Sequence, residues 1–501
     1  GFDIVIGNPP YIQLQNNNGY LGEKYKDQEY VSFAKTGDIY ALFYERGNEL
    51  LKDGGHLCYI TSNKWMRAKY GEKLRGYLSE KTIPKILIDF GGYKVFDSAT
   101  VDTNILLFEK TTHPGKLKAC KIEKDFKSSM NIADYFNKNH IDLTGLKSDS
   151  WIISSADEAL IKRKIEEIGT PLKDWDIQIY RGVLTGFNEA FIIDGATKDL
   201  LISEDPKSAE IIKPILRGRD IKKYKAEFAD QWLINTHNGY KGVPRIDVSK
   251  YPAIKRHLED VEERRKNGEF GEKAQKAPGL FKRSDQGDTP YNLRNCAYVG
   301  EFVKEKIVYP ETTQDNSFCF ENEGLFVDKT AFFFQSNSIK FLLSIFSSQF
   351  FKKVYRKYFS SIELGKKAFQ YNKHALESFP VPQISKEQQK PFEKLVDYIL
   401  FLKEKDIHPL FVSMFETVIN SLVYDLYFEE ETKAHNLYVS DFVPKILVSL
   451  KHEMTDDEKI QICEKMYRAL KNNDELTRAI INRNNSNLIK TIQGEADVAK
   501  N

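Results

Sequence analysis

The chain opens with GFDIVIGNPPY, residues 1–11, and this stretch decides the class of fold. Residues 3–7 are mostly apolar and predict a buried β-strand, which the tetrapeptide NPPY (residues 8–11) follows directly. In open α/β folds, ligands bind outside the carboxyl ends of the strands. The tetrapeptide is therefore predicted to line a functional site, although a strand followed by a Pro-Pro turn also occurs without any function.

Strand and helix patterns alternate from residue 1 to about residue 113. Asp38 is predicted to cap the first helix and Asn63 the second. The predicted elements are a helix over 38–52, a strand over 56–61, a helix over 63–80, and strands over 85–90 and 104–109. This alternation predicts an α/β fold with a largely parallel sheet, the back half of a doubly wound domain.

The composition is that of a folded globular protein, with 41% hydrophobic and 29% charged residues in 501 positions. No apolar run approaches the length of a membrane-spanning helix, so no membrane partner is expected. The five cysteines lack paired spacing and fit a cytoplasmic location, and no metal site is predicted from the cysteines or from histidines such as His113. The net charge is only +2, so a nucleic-acid surface would require segregated basic residues.

The rest of the chain divides into two regions of different composition. Residues 151–382 interleave aromatic, glycine and basic residues in short apolar runs, which predicts a mixed α+β domain with a surface excursion over 264–294. Beyond Pro382 the apolar residues recur at helical spacing. Helices are predicted from residue 392 and over about 410–428, 456–471 and 474–490. The predicted domains are therefore 1–113, 114–382 and a helical region over 383–501.

The tetrapeptide resembles the catalytic loop of amino-group DNA methyltransferases, and its parts suit that chemistry. The exocyclic nitrogen of adenine is a poor nucleophile because its lone pair is delocalised into the ring. The side-chain oxygen of Asn8 and the backbone carbonyl of Pro9 would accept its N–H bonds and favour a pyramidal, nucleophilic nitrogen. The fixed φ of Pro9 keeps that carbonyl in place. Pro10 completes the motif, and Tyr11 offers a surface on which a flipped base stacks.

Two further segments extend the resemblance to TaqI-type adenine-N6 DNA methyltransferases, and more closely to type IIG restriction–modification enzymes. They are DIYALF at 38–43 and KVF at 94–96. The resemblance implies that Phe43 packs against the adenine of S-adenosylmethionine and that Phe96 packs against the flipped base. Both are alternatively core residues, since buried aromatic side chains are common.

The segments YRGVLTGFNEAF (180–191) and KPILRGRDI (213–221) resemble parts of the target-recognition domain of these enzymes. Arginine binds guanine bidentately, whereas lysine acts more as a charge against phosphate. A solvated basic turn is the alternative interpretation. The candidate DNA contacts are Arg181, Thr185, Asn188, Arg217, Arg219, Lys222 and Lys223.

Residues 352–358 interleave basic and aromatic side chains and form another candidate DNA face. A helix with this pattern equally well buries its aromatic residues and leaves its charges in water. Lys366, Lys367 and Lys373 allow the same two interpretations.

These observations predict a site-specific adenine-N6 DNA methyltransferase that transfers methyl from S-adenosylmethionine to a flipped adenine of double-stranded DNA. In this kind of fold the cofactor site is built by earlier strands, with a Gly-rich turn after the first of them, and nothing in the chain replaces that turn. Residue 1 begins a strand that is expected to be central. The cofactor half is therefore expected in an N-terminal remainder of the same polypeptide, and the resemblance implies that the nuclease of a restriction–modification enzyme would lie there too. One alternative is a DNA-binding specificity module with an inactive methylase remnant. Another is methylation of protein or RNA.

Overall fold

The structure is a computed structural model. It describes residues 1–91, 93–96, 101–111, 115–123, 126–151, 153, 156–360, 363–364, 368–483 and 486–493. By internal contacts the chain divides into two compact units. The first comprises residues 1–162 and 360–367, and the second comprises residues 163–359 and 368–501. The domain boundaries at 113 and 382 stay predictions.

The longest strands belong to the first unit. Their bounds are β1 (Phe2–Gly7), β2 (Leu51–Ser62), β3 (Ile83–Asp89), β4 (Thr103–Glu109), β5 (Leu117–Lys121), β6 (Ile141–Leu143), β7 (Thr170–Pro171), β8 (Ile179–Arg181), β9 (Ile192–Asp194), β10 (Ile212–Leu216), β11 (Ile221–Lys222), β12 (Lys225–Ala226), β13 (Gln231–Ile234), β14 (Lys306–Pro310), β15 (Thr312–Thr313), β16 (Cys319–Glu321), β17 (Phe326–Val327), β18 (Ala331–Phe334), β19 (Glu363–Leu364), β20 (Ala368–Gln370) and β21 (Pro380–Val381).

The longest helices lie near the carboxyl end of the chain. The helix bounds are α1 (Asn16–Tyr25), α2 (Tyr40–Leu50), α3 (Glu72–Lys81), α4 (Ile132–Asn139), α5 (Ala156–Ile168), α6 (Asn188–Phe191), α7 (Gly195–Glu204), α8 (Pro252–Lys266), α9 (Glu272–Lys276), α10 (Gly279–Lys282), α11 (Ile339–Phe346), α12 (Gln349–Val354), α13 (Lys373–Glu377), α14 (Lys386–Lys405), α15 (Pro409–Tyr427), α16 (Glu429–Ala434), α17 (Val443–Ile446), α18 (Asp456–Lys471), α19 (Asp474–Arg483) and α20 (Asn487–Gln493).

The first unit is built on one six-stranded sheet in the order β1-β2-β4-β3-β5-β6. β1 runs parallel to β2, and β3 runs parallel to β5, whereas β4 is antiparallel to both of its neighbours. The α/β fold class is confirmed, but the expectation of a largely parallel sheet is wrong. The physical reason is the connection from β3 to β4, whose described residues contain no helix, and a parallel neighbour requires a long crossover.

Apolar side chains cover both faces of this sheet. Leu87 and Leu106 lie in one cluster with side chains of α2 and α3, including Tyr44 and Leu78. The neighbouring residue Ile88 points to the opposite face, where it packs with Cys120, Tyr135 and Phe136. The alternation follows from the two-residue period of a β-strand. The sheet is therefore held between helices, as the sequence predicts.

β1 lies at one edge of the sheet, since β2 is its only strand neighbour in the described sheet. Its side chains Phe2, Ile4 and Ile6 are 61%, 70% and 78% exposed, while Val5 packs partly against the core on the other face. The expectation of a buried, central strand is wrong for the described sheet. An edge strand with an uncovered apolar face is uncommon, because such edges invite pairing with further chain.

The second unit contains two four-stranded sheets, in the orders β17-β10-β13-β9 and β16-β14-β18-β8. They share one apolar cluster, to which Ile215, Leu233, Val308 and Phe333 belong. The strands predicted at 231–234 and 306–309 are present as β13 and β14. The mixed α+β character predicted for this region is therefore confirmed.

The carboxyl-terminal region is helical, as predicted from its apolar spacing. α14 packs against α11 and α15, and α15 packs against α18. The helices predicted at 410–428 and 456–471 correspond to α15 and α18 within one residue at each end. Among the described residues, no helix is both long enough and apolar enough to cross a membrane.

Candidate active site

The tetrapeptide of residues 8–11 follows β1 at the carboxyl edge of the sheet. Gly7, the last residue of β1, pairs with Tyr59 of β2 in parallel register, so the chain leaves the sheet where β2 also ends. Pro9 is buried, whereas Asn8 and Pro10 are exposed and Tyr11 is half-buried. The loop is thus anchored by Pro9 and presents the Asn8 amide to solvent.

A hydrogen bond ties Tyr11 to Asn8. The Tyr11 hydroxyl donates to Asn8 Oδ1 at 2.8 Å, and it lies 3.4 Å from the carbonyl oxygen of Ile60 in β2. Burial raises the pKa of Tyr11, so its hydroxyl stays a donor at neutral pH. An amide oxygen has two lone pairs, which leaves one on Asn8 Oδ1 for a second donor. The site is arranged to accept one further N–H.

A chain of polar side chains supports the Tyr11 ring. The ring meets Tyr40 edge to face at 6.4 Å between centroids. The Tyr40 hydroxyl lies 2.9 Å from that of Tyr70, which in turn donates to Asp38 Oδ2 at 3.2 Å. Burial raises the pKa of Tyr40, Tyr70 and Asp38. Asp38 therefore serves this chain of hydroxyls, and the prediction that it caps α2 is wrong, because Ile39 is the N-cap.

The segment after Tyr11 is fastened to the start of α2 by backbone hydrogen bonds. Ile39 N donates to Ile12 O, and Leu14 N donates to Gly37 O, each at 2.9 Å. At the start of α1, Asn17, Asn18 and Gly19 have positive φ and interrupt the helical backbone. Asn and Gly tolerate this left-handed backbone better than other residues.

Glu45 of α2 anchors the stretch that precedes this helix. Its buried carboxylate accepts hydrogen bonds from the backbone N–H groups of Val31 and Ser32 at 3.0 and 2.8 Å, and from the Ser32 hydroxyl at 2.6 Å. A buried carboxylate requires such partners. The loop after the tetrapeptide is consequently held at both ends.

The two aromatic residues implied by the resemblance lie in different surroundings. Phe43 is 39% exposed on α2, although its neighbours Leu42 and Tyr44 are buried. Phe96 is half-buried between β3 and β4, just before residues that lie outside the description. Among the described residues, no ring contact or hydrogen bond joins either side chain to the tetrapeptide. Their roles stay predictions, but Phe43 is not a fully buried core residue.

The same edge of the sheet carries a polar cluster that the sequence did not reveal. Buried Asp89, which ends β3, accepts hydrogen bonds from Asn63 Nδ2 at 2.8 Å and Gly91 N at 2.9 Å. Arg67 lies 3.9 Å from its second carboxylate oxygen. Ser62 rather than Asn63 caps the following helical turn, so the predicted cap is wrong. A signal was present in the Asp at a strand end, where sheet edges bind ligands.

In the second unit, Asp220 organises the predicted basic turn. Its carboxylate accepts from the backbone N–H of Arg217 at 2.9 Å and from Arg217 Nε at 3.2 Å. The Arg219 side chain is 71% exposed, with its Nε 3.8 Å from Asp220. Lys222 is half-exposed and donates to the carbonyl oxygen of Arg219. Lys223 instead forms an ion pair with Glu416 of α15 at 2.7 Å.

The three candidates from the segment 180–191 are placed differently. Arg181 is exposed and forms an ion pair with Glu311 at 3.3 Å. Thr185 is buried, and its hydroxyl bonds to Asn188 Oδ1 at 2.5 Å and accepts from Phe187 N. Thr185 and Asn188 therefore complete a local turn, and their predicted DNA contacts have no further support from the geometry.

The alternative DNA face at residues 352–358 buries its aromatic side chains. Phe351, Tyr355 and Tyr358 are in the core, and Lys352 forms an ion pair with Asp315 at 2.6 Å. Lys353 donates to the carbonyl oxygen of Gln493 in α20. The aromatic side chains are thus buried, as the alternative interpretation expects, but Lys352 and Lys353 are paired within the protein rather than left in water. Lys373 donates to Ile179 O, while Lys366, Lys367 and His113 lie outside the described residues.

Two known families match this chain, and each match overlaps segments that carry the resemblance. Residues 1–96 match the Eco57I restriction-modification methylase family, and residues 213–381 match the TaqI-like C-terminal specificity domain. The predicted resemblance to TaqI-type and restriction–modification methyltransferases is thereby confirmed.

Individual relatives are type II methyltransferases as well. The type II methyltransferase M.PaeR7I of Pseudomonas aeruginosa is 24% identical over 361 residues, which cover 67% of this chain and 57% of that protein. The type II restriction enzyme and methyltransferase RM.Eco57I of Escherichia coli is 31% identical over 198 residues, covering 38% of this chain and 19% of that protein. The chain spans about half the length of three of the curated relatives that it matches.

One solved structure shares the fold over most of the chain. It is the type IIL restriction-modification enzyme MmeI in complex with DNA, with a TM-score of 0.53 and 13% identity. The alignment covers 93% of this chain and 57% of that chain. At this identity the likeness concerns the fold.

Proposed function

We propose that this protein is a site-specific adenine-N6 DNA methyltransferase of a restriction–modification system. The observation that carries the proposal is the exposed Asn8 amide at the carboxyl edge of the sheet, held by Tyr11 and anchored by buried Pro9. The methylase family match over residues 1–96 and the type II methyltransferases among the relatives support it.

In the proposed reaction, S-adenosylmethionine supplies an electrophilic methyl group on a sulfonium. Asn8 Oδ1 and the carbonyl of Pro9 accept the two N–H bonds of the target amino group and favour its pyramidal shape. Tyr11 stacks on the flipped base, and the Tyr40 ring, which is held by the contact between its hydroxyl and that of Tyr70, supports the Tyr11 ring. Catalysis then rests on positioning and electrostatics, without a covalent enzyme intermediate.

For the cofactor, the described residues offer one fitting group. Phe43 exposes its ring on a helix whose other aromatic residues are buried, which suits stacking against an adenine. We propose that further contacts come from an additional part of the same polypeptide, placed along the free edge of β1. Exposed Phe2, Ile4 and Ile6 support this, since such an edge pairs readily with more chain. The 501 residues alone are then expected to bind S-adenosylmethionine poorly, and tight stoichiometric binding in a calorimetric titration would contradict this part.

For the partner, we propose double-stranded DNA, bound by the second unit. The specificity-domain match over residues 213–381 supports it. Within that range Arg219 and Lys222 are the most accessible of the predicted contacts, so they are proposed to meet the DNA. Lys223 would have to leave Glu416 first.

The test is Asn8→Ala in the full-length gene product. Methyl transfer from labelled S-adenosylmethionine to unmethylated genomic DNA should fall on the order of a hundredfold, because a polarising acceptor is lost. DNA binding should persist, since Asn8 reads no sequence. Asn137→Ala, an exposed amide on α4 of the same unit, is the matched control. Near-normal transfer by Asn8→Ala would remove Asn8 from the mechanism. Loss of transfer by both variants would indicate a general defect.

A further inference from the structure

Two loops of the second unit are folded against one another, and we refer to residues 237–246 and 285–295 as the paired loops. The first closes as a tight hairpin, with reciprocal backbone hydrogen bonds between Tyr240 and Val243 at 3.0 and 2.7 Å. The second is joined to it where Leu293 N donates to Thr236 O at 2.9 Å. Both loops lie inside the range that matches the specificity domain.

Buried polar side chains hold the paired loops rigid. Asn292 is almost fully buried, and its Nδ2 donates to the carbonyl oxygen of Ile246 at 2.9 Å. Buried Arg283 donates to the carbonyl oxygens of Pro290 at 3.0 Å and Asn292 at 2.7 Å. Asn292 thus ties the second loop to the first, and Arg283, whose guanidinium also lies over the Phe191 ring, holds the backbone of the second loop. The groups on their outer surface are therefore presented in a defined geometry.

The outer surface carries arginine and asparagine side chains with acidic tethers. Arg245 contacts Asp288 through one terminal nitrogen at 3.4 Å, and Arg294 contacts Asp285 in the same way at 3.1 Å. Asn238 Nδ2 donates to Asp288 Oδ1 at 3.0 Å, and Asp288 N donates back to Asn238 Oδ1 at 2.9 Å. A guanidinium has five N–H donors, so each arginine keeps most of its donors for another partner.

We propose that the paired loops read base edges of duplex DNA, with Arg245 and Arg294 each binding a guanine in the major groove. This inference rests on the proposed function and deepens it by naming the residues that determine the target sequence. Arginine binds the O6 and N7 atoms of guanine bidentately, and the single carboxylate contact restricts the position of each guanidinium before it meets the base. Less side-chain entropy is then lost on binding.

The charge of the paired loops favours contacts to base edges over contacts to phosphates. They carry three basic and two acidic side chains, and Lys241, one of the basic ones, is engaged with Glu301 at 2.8 Å. A surface that holds phosphates would be more strongly basic. Contacts to base edges need donors and acceptors in fixed places, which these loops supply.

The experiment is selection of bound duplexes from a randomised library by the chain, followed by sequencing. Arg245→Lys and Arg294→Lys keep the charge but lose the bidentate fork. Each is expected to lower the preference for one guanine position of the selected motif by between about fivefold and a hundredfold. The salt dependence of binding should stay that of the wild type, because the charge is unchanged. Arg256→Lys, at an exposed Arg–Glu204 ion pair on α8, is the matched control.

Asp288→Asn provides a second measurement in case a lysine variant folds poorly, which circular dichroism would reveal. It loosens the Arg245 tether and should weaken the same motif position as Arg245→Lys. If both lysine variants and Asp288→Asn select the wild-type motif unchanged at every position, the inference is overturned while the proposed function stands. If the wild-type chain selects no motif, DNA recognition by this unit fails as well.

Discussion

Replacement of Tyr11 by Phe and by Ala separates its hydroxyl from its ring. The hydroxyl makes one good hydrogen bond, 2.8 Å to Asn8 Oδ1, and a marginal one of 3.4 Å to Ile60 O. The net contribution of such a bond is about 1 kcal/mol, so Tyr11→Phe should lower kcat/KM by about fivefold. A base stacked on an aromatic ring gains about 1–3 kcal/mol, so Tyr11→Ala should lose a further five- to 150-fold.

The assay is transfer of labelled methyl from S-adenosylmethionine to unmethylated genomic DNA by the full-length gene product. Fluorescence of a 2-aminopurine at the target position adds a readout of base extrusion once the motif is known. Tyr20→Ala is the control, because Tyr20 is an exposed tyrosine of α1 in the same unit. Tyr20→Ala should transfer methyl at the wild-type rate.

The ratio of the methyl-transfer rates of the two Tyr11 variants tests whether the ring stacks on the base. Rates close to wild type for both Tyr11→Phe and Tyr11→Ala would mean that neither the ring nor the hydroxyl of Tyr11 acts on the substrate. A Tyr11→Phe variant as slow as Tyr11→Ala would assign the function to the hydroxyl, and the stacking proposal would be refuted.

Three further outcomes are expected. Burial raises the pKa of Asp425 to about 6 from 3.8, so the folded protein binds this proton more tightly than the unfolded chain does. The free energy of unfolding should therefore fall by up to about 3 kcal/mol as pH rises from 4 to above 6. Asp425→Asn should remove this pH dependence, which urea titrations at several pH values would measure. Arg219→Gln should weaken duplex binding and flatten its salt dependence, while Lys223→Gln should change stability more than binding, as salt titrations on random DNA would show. Lys306→Met should strongly destabilise the second unit by leaving Glu321 buried without its partner, measurable as a lower urea midpoint, and an unchanged midpoint would contradict the structural importance of this pair.

Local patterns were sufficient for much of the first unit and of the helical region. The apolar run before the tetrapeptide correctly places residues 8–11 at the carboxyl edge of a sheet. Helical spacing correctly places α15 and α18, because long amphipathic helices carry a strong periodic signal. The orientation of β4 escaped prediction, since it depends on which strands become neighbours.

The polar side chains of the candidate site were harder to predict. Asp38 looks like a helix cap in the sequence, but its carboxylate accepts from Tyr70, which lies 32 residues later. Asn63 looks like another cap and instead donates to Asp89. Partners that are distant in sequence and close in space leave no local signal. The same holds for the second of the paired loops, which falls almost entirely within the surface excursion predicted over 264–294 from its polar composition.

The position of β1 links the order of the tetrapeptide to a single ladder of hydrogen bonds. β1 pairs with residues 51–59 of β2, about fifty positions later in the chain, and has no strand on its other side in the described sheet. Strands held on one side open more readily than central ones, and their amide protons exchange with solvent sooner. A segment that binds the free edge of β1 would therefore slow hydrogen exchange in β1. It would also restrict the motion of Asn8, because Asn8 directly follows this strand. The conformation of Asn8, the proposed catalytic residue, is then coupled thermodynamically to the covering of the β1 edge.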